Sequence, residues 1–138
     1  MRFTILLIAL LACNKTANTQ ERKMFKPCPN SPNCVSTQAE KKSQKMKPLV
    51  FEGEANLALQ RVKKLIAQNP QAKLIEGEKG FLTYEFTTKL GKFIDDVEFL
   101  LDEEKSVIHF RSASRKGYGD LGKNRRRMKK IQKQWLLL

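Results

Sequence analysis

Phe93-Ile94-Asp95-Asp96-Val97-Glu98-Phe99-Leu100-Leu101, a short acidic turn, and then Ser106-Val107-Ile108-His109-Phe110-Arg111-Ser112 read together as a β-hairpin. Apolar and polar residues alternate in both arms, as half-buried strands require. A turn centred on Glu103-Glu104 sets Phe99 opposite Ile108 and Val97 opposite Phe110. The same register sets Glu98 opposite His109 and Asp96 opposite Arg111. One side is then mainly apolar, and the other carries opposite charges in cross-strand pairs. A slip of one residue would break both patterns. Asp95 is the misfit, because it points to the apolar side, opposite Ser112.

Working outward, residues 81–88 alternate Leu82, Tyr84 and Phe86 with Thr83, Glu85 and Thr87, which predicts another strand. Residues 73–78 predict a further strand, joined to it by a turn at Glu78-Lys79-Gly80. A second turn falls at Leu90-Gly91-Lys92, and residues 49–51 form a short strand. Between residues 54 and 68, Leu59, Val62, Leu65 and Ile66 recur at helical spacing, and Asn69-Pro70 ends that helix. A last helix runs from about residue 121 to 138, with Leu121, Met128, Ile131, Trp135 and Leu138 in one stripe. Asn124 falls within the stripe, Arg125 and Arg127 border it, and Arg126, Lys129, Lys130 and Lys133 face away. The expectation is an α+β fold: an antiparallel sheet of four to five strands with two helices packed on one face. Residues 35–48 are polar and basic and read as a surface connection.

Cys28 and Cys34 lie six apart in a loop with three prolines and two asparagines, which favours tight turns over helix. In an exported protein such a pair forms a disulfide. A metal site would need further ligands, and His109 is the single histidine, so no metal is expected.

Export is what the first residues predict. Arg2 precedes an apolar run that ends in Leu10-Leu11-Ala12-Cys13, the charged, apolar and small-residue order of a secretory signal. Leu10-Leu11-Ala12-Cys13 resembles a bacterial lipobox, which implies cleavage after residue 12 and a lipid on Cys13. Residues 13–24 then form the lipidated cysteine and a flexible tether, and residues 25–138 a single α+β domain. Asn14, rather than Asp, follows the cysteine, which favours the periplasmic side of an outer membrane if the host has two membranes.

The chain has 138 residues and a net charge of +13. Residues 111–138 carry ten Lys or Arg against one acid, so most of the charge belongs to one segment. Nucleic acid is the obvious partner for such a segment, but export contradicts it, and helix-turn-helix and stacking-aromatic features are absent. Anionic envelope polymers or lipid headgroups are the partners that fit, alongside the membrane reached through the lipid.

Residues 28–36, Cys-Pro-Asn-Ser-Pro-Asn-Cys-Val-Ser, resemble the opening signature of the DUF1499 family, domains of unknown function in exported bacterial and chloroplast proteins. Residues 93–99 resemble its central strand, and the run from Arg111 to Arg127 resembles its closing signature. The resemblance implies the domain without implying a reaction.

The residues that could carry chemistry are Asp95, Asp96, Glu98, Arg111, Ser112, Ser114, Arg115, Asp120, Asn124, Arg125 and Arg127. Gly117, Gly119 and Gly122 lie between the last strand and the last helix, where backbone N–H groups can bind an anion. Arginines there can grip a carboxylate or phosphate bidentately. The same residues can instead pair with one another and lock the helix onto the sheet. No catalytic residue is assigned and no cofactor is expected. His109 reads as a strand-face partner of Glu98, and Ser112 and Ser114 lack an activating base. The reading is a non-enzymatic envelope lipoprotein that binds an anionic ligand or partner. A hydrolase or transferase of anionic envelope substrates, or a purely structural protein, are the alternatives.

Overall fold

The computed structural model describes residues 24–78, 80–90 and 93–138. The signal segment, Cys13, nearly all of the tether and the turn residues Lys79, Gly91 and Lys92 lie outside the described residues. The elements in chain order are β1 (Cys34–Ser36), β2 (Leu49–Val50), α1 (Ala55–Ala67), β3 (Ala72–Glu78), β4 (Phe81–Thr87), β5 (Ile94–Asp102), β6 (Val107–Ser114) and α2 (Lys123–Trp135). All six strands belong to one antiparallel sheet, in the order β1-β6-β5-β4-β3, with β2 also on β6. The α+β class holds, with six strands where four to five were expected.

One additional strand is β1, inside the segment expected to be a surface connection. Val35, Ser36, Thr37, Ala39, Gln44 and Met46 are all buried. Ser36 accounts for much of this, since its N–H donates to Gln44 O and its carbonyl accepts the Met46 N–H. Gln44 Nε2 donates to the carbonyls of Pro29 and Ser31, so a polar side chain is buried with its partners. Three residues between a proline-rich loop and a lysine-rich stretch are too few to show an alternation.

The hairpin forms, with its faces as expected and its register shifted by two residues. Phe99 pairs with Phe110, Val97 with Ser112 and Asp95 with Ser114. Glu98 faces Arg111 rather than His109, and Asp96 faces Ala113 rather than Arg111. The cause is the turn, which spans residues 103–106 and is centred one residue later than expected. Its Ser106 N–H donates to Glu103 O, and the Asp102 carboxylate accepts the Lys105 N–H. Ser106 takes a positive φ of 51°. Moving a turn by one residue moves the pairing by two, and a shift of two keeps every side chain on its face.

The inner face carries Leu82, Tyr84, Phe86, Val97, Phe99, Ile108 and Phe110, all buried. These residues share one apolar cluster with Ala58, Val62, Leu65 and Ile66 of α1 and Met128, Ile131 and Trp135 of α2. Each large side chain buried there contributes about 1.5–3 kcal/mol. Leu121 and Leu138 were expected in the α2 stripe but are 93% and 62% exposed. Leu121 precedes the helix with φ 53°, and Gly122, at φ 72°, is the residue from which α2 starts. Two left-handed residues in succession turn the chain before the helix begins, so the stripe starts at Asn124. The disulfide between Cys28 and Cys34 is present and fastens the proline-rich loop to β1.

Candidate functional site

The hairpin and α2 bring most of the candidate residues into two clusters on opposite faces of the sheet. The inner cluster is built around Asp95, which is fully buried on the apolar face. Arg127 reaches it from α2, with Nη2 2.5 Å from Asp95 Oδ2. Its Nη1 donates to Asn124 Oδ1 at 2.6 Å and Ser112 Oγ at 3.1 Å, and the guanidinium lies over the Phe86 ring. Lys123 Nζ lies 2.8 Å from the same Asp95 oxygen. Burial pushes the Asp95 carboxyl up, but the hydrogen bonds from Lys123 and Arg127 outweigh it and hold the group below its usual range. Asp95 therefore stays ionised at neutral pH.

Asn124 is the hub of the same cluster. Its side-chain amide donates to the Asn33 carbonyl, to Ser114 Oγ and to Asp120 Oδ2, while its Oδ1 accepts from Ser112 Oγ. Asn33 in turn donates to the Gly117 carbonyl at 2.6 Å. The start of α2, expected as an anion site, is already served from within the chain. Asp120 accepts the N–H groups of Gly122 at 2.9 Å and Asn124 at 2.8 Å. A carboxylate beside a helix N-terminus is favourable there for the same reason that a bound anion would be.

The outer cluster joins Glu85, Asp96 and Arg115. Glu85 and Asp96 are direct cross-strand neighbours, an unfavourable pairing on its own. Arg115 binds both, with Nε and Nη2 on the Asp96 carboxylate and Nη2 also on Glu85. The Asp96 and Glu85 carboxylates raise its pKa further above an already high value. Along the same face Arg111 pairs with Glu98 at 3.0 Å.

His109 meets Asp102 and Thr37 in place of the expected Glu98, again because of the two-residue shift. Its Nε2 is 3.6 Å from Asp102 Oδ2 and its Nδ1 is 3.0 Å from Thr37 Oγ1. A hydroxyl, an imidazole and a carboxylate in sequence resemble a nucleophilic triad in composition. Here the Thr37 hydroxyl is buried and accepts the Phe110 N–H, so it serves to hold the loop after β1 against β6. Burial lowers the His109 pKa, partly opposed by Asp102. Among the described residues no group of three or more His, Cys, Asp or Glu is placed to hold a metal ion.

Arg127 also lines an open cleft of about 340 Å³ between the end of α1 and α2. Leu65, Ile66, Phe86 and Ile131 form its apolar part, and Gln68, Asn69, Gln71 and Gln134 supply amides. Among the described residues Lys89, Arg127 and Lys130 are its charges, and no acid lines it. Of the expected site residues only Arg127 faces this cleft. Arg125 points elsewhere and donates to the Ser43 carbonyl. Lys89 and Lys130 were not among the candidates. Lys130 read as part of a solvated helix face, and Lys89 belongs to a turn, so neither carried a sequence signal.

Asn33, Asp95, Ser112 and Asn124 come from the three stretches singled out in the sequence, and the inner cluster is where those stretches meet. No curated protein and no solved structure matches the chain. The family model described as "Protein of unknown function (DUF1499)" matches residues 24–135, which takes in all three stretches and every element of the fold. With the match extending over most of its length, the chain belongs to the DUF1499 family.

Proposed function

We propose that the protein is an envelope lipoprotein, anchored through Cys13, whose domain binds an anionic ligand with an apolar portion and does not transform it. The cleft beside Arg127 carries this reading, because Lys89 and Lys130, together with the Asp95-bound Arg127 and four amides, surround an apolar floor with no acid among the described lining residues. Such a lining attracts a carboxylate or phosphate and shelters attached hydrocarbon. The Cys28–Cys34 disulfide supports an oxidising compartment. The lipobox-like start supports the anchor.

The test has two arms. Radiolabelled palmitate should enter the wild type and not Cys13→Ser, and equal labelling would end the lipoprotein reading. Dodecyl phosphate should raise the thermal midpoint of the wild type and leave Lys89→Ala/Lys130→Ala unmoved. Equal shifts in both proteins would end the cleft reading. A structural or assembly role is the second reading, favoured by the way Asp95 and Asp120 are occupied by partners within the chain. A hydrolase or transferase has less support, since the same occupation leaves neither acid free to act on a substrate.

A further inference from the structure

From the side of α2 opposite the core we infer a membrane-docking surface, in which the Leu136-Leu137-Leu138 end enters an anionic bilayer interface and flanking lysines hold its headgroups. The three leucines are 84%, 79% and 62% exposed, yet they are held in place. The Leu136 N–H donates to Gln132 O, that of Leu137 to Gln134 O and that of Leu138 to Trp135 O. Three consecutive exposed leucines on an ordered turn form an apolar tip that water does not favour.

The charges around the tip identify its partner. Lys129 and Lys133 are exposed on α2 within two turns of Leu136. Lys47 comes alongside, since Gln132 Nε2 donates to the Lys47 carbonyl at 2.6 Å. A second copy of this chain would bring lysines against lysines, whereas an anionic lipid surface complements them. Apolar side chains flanked by lysines are the pattern of interfacial membrane binding. The exposed acids Glu52, Glu103 and Glu104 lie past Val50, whose carbonyl Trp135 contacts, so the bilayer meets the Lys129 and Lys133 side of α2, with those acids at its margin. The surface lies apart from the cleft and does not depend on acylation of Cys13.

Trp135 is the single tryptophan and sits at the base of the leucine tip, its Nε1 bonded to the Val50 carbonyl. Its fluorescence therefore reports docking. The full chain is titrated with vesicles of brominated phosphatidylglycerol and, separately, of brominated phosphatidylcholine. Docking predicts quenching on the anionic vesicles, relieved at about 1 M salt, where the screening length is about 3 Å. Lys129→Gln/Lys133→Gln should weaken the interaction roughly 30-fold. Leu136→Ser/Leu137→Ser/Leu138→Ser should weaken it about 100-fold or more. All five positions are exposed, so the unfolding midpoints should stay near that of the wild type.

Equal quenching on the neutral vesicles would overturn the proposal, since a lipid anchor alone would then explain it. So would a leucine variant that binds anionic vesicles like the wild type. A lipid-free dimer that the leucine variant abolishes would also overturn it, and would assign the tip to a second copy.

Discussion

Asp95→Asn is the substitution that most directly tests how α2 is held to the sheet. It keeps the shape of the side chain and removes the charge that Arg127 and Lys123 share. Removing one member of a buried ion pair costs about 3–5 kcal/mol, because the other charge is left buried and uncompensated. Lys123 is 36% exposed and can turn to water, and Arg127 keeps Ser112, Asn124 and the Phe86 ring. The lower end, about 3 kcal/mol, is therefore expected. With a urea slope of about 1.5 kcal/mol per M, the unfolding midpoint should fall by about 2 M. Asp96→Asn is the internal control, one residue away on the opposite face. Its ion pair with Arg115 is exposed by 31% and 41% on the two sides, so its loss should cost about 0–1 kcal/mol. The Asp95 carboxyl has a lowered folded pKa, so its contribution is complete above the unfolded value and disappears as pH falls through the folded one. The gap between wild type and Asp95→Asn should accordingly close below about pH 3.8. Combining Asp95→Asn with Arg127→Met should cost about 1–3 kcal/mol less than the two single changes added together. If Asp95→Asn and Asp96→Asn cost the same, or the double variant is additive, the buried pair is not what fastens the helix.

Replacing Cys28 and Cys34 together by alanine opens a loop of sequence separation six and should lower stability by about 2 kcal/mol in urea unfolding. His109 has a folded pKa below its ordinary value, so the unfolded chain binds the proton more readily. Wild-type stability should therefore fall as pH drops from about 6.5 through the folded value, and His109→Gln should be flat across that window. Arg115→Ala leaves Glu85 and Asp96 opposed on neighbouring strands, and a loss of about 0.5–1 kcal/mol is expected from thermal unfolding.

Faces were legible in the sequence and register was not, and the difference has a physical origin. The alternation of Val97 and Phe99 with Asp96 and Glu98 fixes which side of the strand meets the core. It cannot separate registers two residues apart, because those place the same faces together. The choice fell to Ser106 and Asp102, a left-handed residue and a side-chain cap that alternation does not encode. Every misassigned partner follows from that one turn: Glu98 found Arg111, and His109 found Asp102 and Thr37. The start of α2 escaped for a related reason. Leu121 fits the helical period as well as Met128 does, and only its left-handed backbone takes it out of the stripe.

The candidate site was legible as a set of residues, while its roles depended on placement. Asp95, Ser112, Asn124 and Arg127 have the chemistry of a ligand pocket and equally that of an internal lock. Burial separates the two possibilities. A pocket leaves its charged groups open to an incoming ligand, whereas Asp95 is closed over by Arg127 and Lys123, and Asp120 is spent on the helix start. The polar residues of the three family stretches thus act on each other, tying the disulfide loop through Asn33 to β6 and α2. Arg127 alone belongs to both environments, with its guanidinium on Asp95 and its side chain on the cleft. A ligand anion in that cleft would compete with Asp95 for the same cation. Binding would then loosen the attachment of α2, and with it the lysines and leucines that the helix presents on its other side.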